Sequence, residues 1–169
     1  MKTPILTGLA AAALALAPAS SSAGNLAETA AAANSSGPYA GSFDTLLAAV
    51  GAADPAVLAK LSSPGQLTVF APTDDAFAAA GVDAANVATA FSRADLTKIL
   101  LYHVANGRQN SKAVTSKKQI RTLAGMSLSV NGAVLTDELG RDSNIIVTDV
   151  EADNGVIHAI DSVLLPFQP

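Results

Sequence analysis

The most reactive side chains of the chain lie near its C-terminus, where His158 is followed by Asp161 and Ser162. Histidine, aspartate and serine can form a nucleophilic triad when the imidazole lies within hydrogen-bond reach of both partners. Side chains alternate along a strand, so His158 and Ser162 would share one face two pleats apart while Asp161 points to the other. The spacing therefore favours a core histidine bonded to a backbone or hydroxyl group over a catalytic base.

The second histidine, His103, follows Tyr102 at the end of an apolar pattern. Leu96, Ile99 and Leu100 precede it at helical spacing, which places the histidine on the buried face near the helix C-terminus. A histidine there can bond the last carbonyl groups of the helix. A packed or capping role is favoured, with a ligand contact as the alternative. The ring of Tyr102 should point to a different side of the helix.

The acidic pairs and the short motifs give no sign of catalysis or of a metal site. Asp74-Asp75 is better explained as the first turn of a helix, where carboxylates interact favourably with the helix dipole. The polar stretch 137–142 lacks the ligand pattern of a calcium-binding loop. The chain has no HExxH, GxSxG or phosphate-binding glycine motif. We therefore expect no enzyme activity, no cofactor and no metal.

Composition and charge exclude further classes of protein. The chain has 169 residues, a formal charge of −4 and no cysteine, so disulfides, thiol catalysis and a lipid-modified N-terminal cysteine are excluded. Its largest basic group is the pair Lys117-Lys118, with Lys112 and Arg121 nearby. Nucleic-acid binding calls for a broader basic face, so no nucleic-acid partner is expected. The basic group is interpreted as a solvated loop, with an anionic polysaccharide contact as the alternative.

The N-terminal residues 1–23 are typical of a secretory signal peptide. Lys2 precedes an apolar run rich in small residues, and Ser21-Ser22-Ala23 fits a cleavage site, with a second candidate after Ala19. The run is shorter than the roughly 20 residues that span a bilayer, so a cleaved signal is favoured over the alternative of an uncleaved anchor, and no membrane anchor is expected. Residues 24–41, rich in Ala, Ser, Asn and Gly, are interpreted as a disordered spacer. A short, alanine-rich signal is typical of bacteria, so the protein should be secreted or periplasmic.

Two apolar stretches should form the main strands. Residues 67–71 favour a strand that Pro72 ends, with Thr73 as N-cap of the following helix. Residues 156–165 are apolar on both faces, which is typical of a central strand covered on both sides. Asn154-Gly155 before them predicts a tight hairpin turn with positive φ at both residues. Helices in the first part and hairpins in the last third indicate an α+β fold.

Three motifs resemble, in order and in spacing, those of a known family. They are TVFAPTDDAF at 68–77, LLYHV at 100–104 and NGVIHAIDSVLLP at 154–166. They are similar to the two boxes and the central Tyr-His motif of fasciclin-like domains, and the resemblance covers roughly residues 42–167. It implies a fasciclin-like fold, in which a β-wedge of two packed sheets has helices packed against it.

The same resemblance implies a secreted, non-catalytic adhesion module that contacts a cell surface or the extracellular matrix. In animal members the Tyr-His motif and its flanking branched residues are linked to integrin binding. Tyr102 and His103 match that motif, with Leu100, Leu101 and Val104 beside them. A bacterial member would instead contact a cell-surface protein, a polysaccharide, a matrix component or a second copy of itself. Packing of the Tyr-His pair is favoured over direct binding.

The alternative function is a small-ligand-binding protein or an enzyme of unknown type that uses His103 and His158. Such a protein needs a concave pocket of about 300 Å³ or more with converging polar groups. The sequence gives no sign of one. Two imidazole rings that converge in an open cleft would favour this alternative, whereas two separately buried rings would favour adhesion.

Overall fold

The structure is a computed structural model that describes residues 24–36 and 38–168, so the expected signal peptide lies outside the described residues. The helices are α1 (Leu26–Ser35), α2 (Asp44–Ala52), α3 (Pro55–Ser62), α4 (Asp74–Ala79), α5 (Val87–Ala90), α6 (Arg93–Tyr102) and α7 (Ser111–Thr115). The strands are β1 (Leu67–Pro72), β2 (Val104–Asn106), β3 (Gln119–Arg121), β4 (Ser127–Asn131), β5 (Val134–Thr136), β6 (Asp142–Ala152) and β7 (Gly155–Ile160).

Strands β1 and β7 lie side by side and parallel, so two motifs that are far apart in sequence are neighbours in the sheet. The register pairs Phe70 with His158. The strand order is β2-β1-β7-β6-β5-β4-β3, and the other neighbouring pairs are antiparallel. A bridge between Ala105 and Thr122 joins β2 to the end of β3, so the sheet curls towards closure. The α+β class is confirmed, and the two packed sheets are the two halves of this curled sheet.

The two faces of β1 and β7 pack into two different cores. Both strands are buried along their whole length, as expected for strands covered on both sides. One core lies between the sheet and the helices and includes Phe43, Leu46, Val69, Leu100 and Ile157. The other lies inside the curl of the sheet and includes Phe70, Tyr102, Leu128, Leu135 and Ile160.

Residues 26–35 form a helix, contrary to the disordered spacer expected over 24–41. Asn25 caps α1 and makes a capping box with Glu28, and the side chain of Leu26 is buried in the helix-side core. The amide of Leu26 donates to Oδ1 of Asn154 at 2.8 Å. Alanine has the highest helix propensity. A composition typical of a spacer therefore also suits a helix once it has caps and a buried anchor.

The turn before β7 differs from the predicted one. Ala152 pairs with Gly155, so the turn residues are Asp153 and Asn154, and Gly155 is already in the strand. The prediction of an Asn154-Gly155 turn is therefore wrong. Glycine is required at 155 for another reason, because a Cβ atom there would overlap the carbonyl group of Leu67 on β1.

Strand β7 ends at Ile160, and the prediction that it continues to residue 165 is wrong. Beyond Ile160, side chains from elsewhere replace the strand ladder as hydrogen-bond partners. The amide of Leu164 donates to Nε2 of His103 at 3.0 Å, and the amide of Leu165 donates to Asp137 at 3.3 Å. Buried backbone amides need partners, and these two side chains supply them without a neighbouring strand.

The acidic pair at the start of α4 has a structural role, as the sequence indicated. The hydroxyl of Thr73 accepts from the amide of Ala76 at 3.4 Å, which confirms Thr73 as the N-cap. The carboxylate of Asp74 accepts from the amide of Thr45 at 2.8 Å. It thereby caps the first turn of α2, whose own N-cap residue, Phe43, has no side-chain acceptor. Asp74 thus joins the beginnings of α2 and α4.

Candidate functional site

Helix α6 positions the Tyr-His pair at its C-terminal end. The hydroxyl of Ser92 accepts from the amide of Asp95 and starts the helix. The helix ends at Tyr102, and the amide of His103 donates to the carbonyls of Ile99 and Leu100. Consecutive helical side chains point in directions about 100° apart, since a turn takes 3.6 residues. The two rings accordingly enter different surroundings, as the sequence predicted.

The imidazole of His103 is fully engaged by backbone groups. Its Nδ1 donates to the carbonyl of Ile99 at 2.8 Å, and its Nε2 accepts from the amide of Leu164 at 3.0 Å. Burial lowers the pKa of His103 to about 4, against the opposing effects of the Ile99 hydrogen bond and the charge of Asp137. The ring is therefore neutral at pH 7 and has no free nitrogen for a ligand or for proton transfer. The predicted capping role is confirmed.

The side chain of Tyr102 is completely buried in the core inside the sheet. Its hydroxyl accepts from the amide of Glu138 at 3.1 Å and lies 3.5 Å from the carbonyl oxygen of Ser127. Burial raises the pKa of Tyr102 to about 12, although the hydrogen bond from Glu138 acts in the opposite direction. The phenol thus links α6 to the loop between β5 and β6.

That loop contains Asp137, a buried carboxylate whose role the sequence analysis missed. It accepts from the amides of Leu139 and Arg141 at 2.9 and 3.0 Å and pairs with the guanidinium of Arg141 at 2.8 Å. It also accepts from the amide of Leu165. An aspartate that precedes a glycine and an arginine in a short loop is a recognisable turn pattern. The contact with Leu165, 28 residues away, has no local signal in the sequence.

Tyr102, His103 and Asp137 therefore form one structural unit, which we call the Tyr-His clamp. Tyr102 holds the β5–β6 loop, His103 holds the chain at Leu164, and Asp137 joins that loop to Leu165. All three side chains are buried. Leu100 is also buried, whereas Leu101 is half-buried and reaches the surface. Of the four predicted contact residues, Leu101 is thus the accessible one.

His158 has a separate and equally internal place. Its Nε2 donates to the carbonyl of Gln109 at 2.8 Å, and its Nδ1 accepts from the amide of Asp149 at 3.3 Å. Its ring stacks on Phe70 with the centroids 5.8 Å apart. Asp149 lies in a bulge of β6 with a φ of 59°. The predicted core histidine, bonded to the backbone, is confirmed.

The residues that follow His158 do not form a triad with it. The carboxylate of Asp161 accepts from the amide and the side chain of Asn144 at 2.7 and 2.8 Å. Burial favours a higher pKa for Asp161, but these hydrogen bonds outweigh it and lower the pKa. The amide of Ser162 donates to the hydroxyl of Ser143 at 3.2 Å. These contacts hold β6 against the end of β7, and they leave the imidazole with its two backbone partners.

The described residues offer no metal site and no single helix suited to a membrane. Within 24–36 and 38–168, no group of three or more His, Cys, Asp or Glu side chains is arranged to hold a metal ion. In the same residues, no one helix has the length and apolar character to cross a bilayer. Only α2 and α3 taken together do, across a bend of 117°.

The accessible surface beside the clamp is apolar. Leu101 lies in a shallow depression of about 430 Å³, and a second depression of about 300 Å³ adjoins it through Leu101 and Leu123. We call the first one the Leu101 patch; its apolar members are Leu101, Leu123, Ala124, Met126, Pro166 and Phe167, and Lys98 lies at its edge. Lys60 lines the second depression. An apolar surface with lysines at its edge suits contact with another macromolecule.

A cavity of about 210 Å³ lies on the helix side of β1, below α1. Its wall comes from α1, α2, α3, α6, β1, β2 and β7 and from His103, and it is almost entirely apolar. The sequence gave no sign of it, because its volume depends on how seven separate helices and strands pack. It is smaller than the pocket that the ligand-binding alternative required, and it lacks converging polar groups.

Comparison with known proteins identifies a family for nearly all of the folded chain. The model of the fasciclin domain matches residues 41–166. The protein sll1483 of Synechocystis sp. is 42% identical over 130 residues, which cover 73% of this chain and 67% of that protein. Immunogenic protein MPB70 of Mycobacterium bovis is 35% identical over 105 residues, which cover 60% of this chain and 51% of that protein.

The fold is also similar to that of a solved structure. A solved FAS1 domain pair from the insect cell adhesion molecule Fasciclin I superposes with a TM-score of 0.56 and 26% identity. The match covers 69% of this chain and 42% of that structure, so the chain corresponds to part of the insect pair. Three sequence motifs, the curled sheet and these matches agree, and the chain belongs to the fasciclin domain family.

Proposed function

We propose that the protein is a secreted, non-catalytic adhesion module that contacts a cell-surface or matrix component through the Leu101 patch. The observation that carries the proposal is the patch itself, an accessible apolar surface built directly on the buried Tyr-His clamp. Its relatives support the adhesive role, since the insect Fasciclin I is a cell adhesion molecule. Export would follow from the signal-like residues 1–23.

The Tyr-His pair contributes to contact indirectly in this proposal. Tyr102 and His103 are buried and their polar atoms bond to backbone groups, so neither ring is offered to a partner. They fix the C-terminal end of α6, and this end presents Leu101 at the surface. A partner with an apolar centre and acidic groups at its edge would suit the patch, because Lys98 and Lys60 border it. A protein meets this description better than a polysaccharide, and a second copy of the chain is a further candidate.

The enzymatic alternative lacks support from the geometry. His103 bonds to Ile99 and Leu164, whereas His158 bonds to Gln109 and Asp149. The two rings have different partners and lie in different places. A general base must reach a substrate proton within hydrogen-bond distance, and both imidazoles already use both nitrogens inside the fold.

The test compares Leu101→Glu with Leu139→Glu in a surface-adhesion assay with the mature protein, residues 24–169. Leu139 is 40% exposed and lies on the β5–β6 loop, outside the Leu101 patch, so it controls for the loss of one exposed leucine and the gain of one charge. We expect Leu101→Glu to reduce adhesion to matrix-coated or cell surfaces by at least about tenfold, a loss that corresponds to about 1.4 kcal/mol. Leu139→Glu should adhere normally, and both variants should melt within a few degrees of the parent. Undiminished adhesion by Leu101→Glu would refute the proposal.

A further inference from the structure

No charged side chain is among the described residues that line the cavity below α1. Among the described residues that line its 210 Å³, His103 supplies the only polar side chain, and the others are aliphatic, aromatic or glycine. Both nitrogens of His103 bond to the backbone, and burial lowers its pKa to about 4. At neutral pH the wall therefore offers no ionic partner and no free hydrogen-bonding group from a side chain.

The cavity exists because α1 is held at both ends and presents small side chains between them. At its start, the amide of Leu26 donates to Asn154 at 2.8 Å. At its end, Oδ1 of Asn34 accepts from the amide of Phe43 at 2.8 Å. Between these anchors, Ala27 and Ala30 face the cavity. Alanine is too short to fill the space, and the anchors fix how closely the helix approaches the sheet.

An unfilled space of this size is unusual in a protein interior. Cores pack as densely as organic crystals, and lining atoms that face a void lose dispersion contacts. Empty apolar cavities stay dry, and one of about 150 Å³ is large enough for benzene. By proportion to the six carbons of benzene, a cavity of about 210 Å³ has room for an alkyl chain of about seven carbons.

We propose that this cavity is a binding site for an uncharged alkyl chain of about seven carbons, with access between α2 and α3. We place the opening at Gly51 and Leu58, because they are the exposed residues among those described in the wall, and Leu58 is 45% exposed. The apolar wall holds the chain, and a polar head group stays at this opening in contact with water. The proposal is independent of adhesion, because the cavity and the Leu101 patch share no lining residue.

The probe is 1-heptanol, with 1-butanol and 1,7-heptanediol as matched comparisons. Binding is followed by methyl chemical shifts of the 13C-labelled mature protein. Affinity should rise about fourfold for each carbon between butanol and heptanol, because each buried methylene adds a similar hydrophobic contribution. The diol should bind at least about tenfold more weakly than heptanol, since its second hydroxyl would be buried without a partner. The shifts should centre on Leu26, Leu47, Val50 and Leu58.

The variant Ala30→Leu fills the cavity from α1, and Ala32→Leu places the same side chain on the exposed face of the same helix. Ala30→Leu should weaken heptanol binding by at least about tenfold, and Ala32→Leu should leave it unchanged. Loss of the α1 amide signals would show that Ala30→Leu displaces α1. In that case Gly51→Leu, which fills the cavity from α2, takes its place, and the same loss of heptanol binding is expected for it.

Three results would each overturn the proposal. One is equal affinity for heptanol and the diol. Another is a set of methyl shifts spread over the surface instead of the cavity. The third is heptanol affinity that stays at the parent level in the filling variant that keeps α1 in place.

Discussion

The two faces of β1 and β7 are packed in different ways. The Tyr-His clamp, whose Tyr102 lies inside the curl of the sheet, joins α6, the β5–β6 loop and the chain after β7 through hydrogen bonds to backbone groups. On the helix side, α1 covers the sheet with alanines and leaves a cavity of about 210 Å³, which His103 of the clamp also lines. The clamp has no unfilled volume for a different side chain, whereas the α1 side has such volume. Substitutions should therefore destabilise the first region and can stabilise the second.

The largest effect is expected inside the clamp, for Tyr102→Ala. Truncating a fully buried aromatic ring costs about 3–5 kcal/mol, and the amide of Glu138 also loses its acceptor. Urea unfolding should show a loss of this size. Adhesion measured at a temperature where the variant remains folded should fall less than in Leu101→Glu, because Leu101 and not Tyr102 is accessible.

The control for this prediction is Tyr102→Phe, which keeps the ring and removes the hydroxyl. It should cost about 1–3 kcal/mol, the usual penalty for a buried donor left unpaired. Lost adhesion in Tyr102→Ala with an unchanged unfolding midpoint would show that the ring itself is a contact, and that the clamp is not structural.

A second, smaller effect follows from the neutral His103. Its pKa is about 4 in the folded protein and 6.5 when unperturbed, so between these values the unfolded chain binds the proton more readily. Stability from this group is fully present above about pH 6.5 and is lost as the pH falls towards 4, by about 3 kcal/mol in all. Urea midpoints measured between pH 7 and 4 should show this slope.

His103→Gln isolates this titration, because glutamine can donate to Ile99 and accept from Leu164 without a charge change in this range. The variant should be less stable at pH 7 but should have a flatter pH profile. The carboxyl groups of Asp149 and Asp161 have lowered pKa values and act at lower pH than His103. An equal slope in the parent and in His103→Gln would assign the pH dependence to other groups.

The clamp and the α1 side also differ in what the sequence reveals. The histidine cap at residue 103, the Thr73 cap and strand β1 were predicted because each rests on residues a few positions apart. The partner of Leu165 is 28 residues away, so nothing near Leu165 indicated that β7 would end early. Long-range hydrogen-bond partners of this kind determine where a strand or helix ends. The periodicity of apolar residues in the sequence does not reveal them.

The α1 side was missed for a different reason. An alanine-rich segment has too little apolar surface to indicate burial, and it suits a spacer and a helix equally well. Helix α1 is anchored to the sheet by Asn154, more than a hundred residues later, which accepts from the amide of Leu26. The cavity then depends on volumes contributed by seven helices and strands. No single stretch of the sequence holds that information.

The smallest expected effect is a gain in stability, whereas the substitutions in the clamp are expected to lower it. It therefore distinguishes the two regions most clearly. Gly51 lies in α2 at the cavity opening, and within the described part of the chain no atom beyond its chain neighbours and the adjacent backbone of α2 lies within 4 Å of a Cβ placed there. Gly51→Ala should therefore stabilise the protein by up to about 1 kcal/mol, the difference in helix propensity between the two residues. Urea unfolding with an unchanged m-value measures it.

Gly155→Ala is the matched control, because it adds the same methyl group where β7 approaches the carbonyl of Leu67 and the side chain of Leu26. The backbone cannot move aside without breaking the β1–β7 register, so this variant should be strongly destabilised. Opposite signs for the two glycines would show that α2 accepts a methyl group at the cavity opening while the β1–β7 pair does not. A destabilised Gly51→Ala would mean that α2 and α1 pack more closely there than the cavity allows, and the proposed alkyl site would lose its volume.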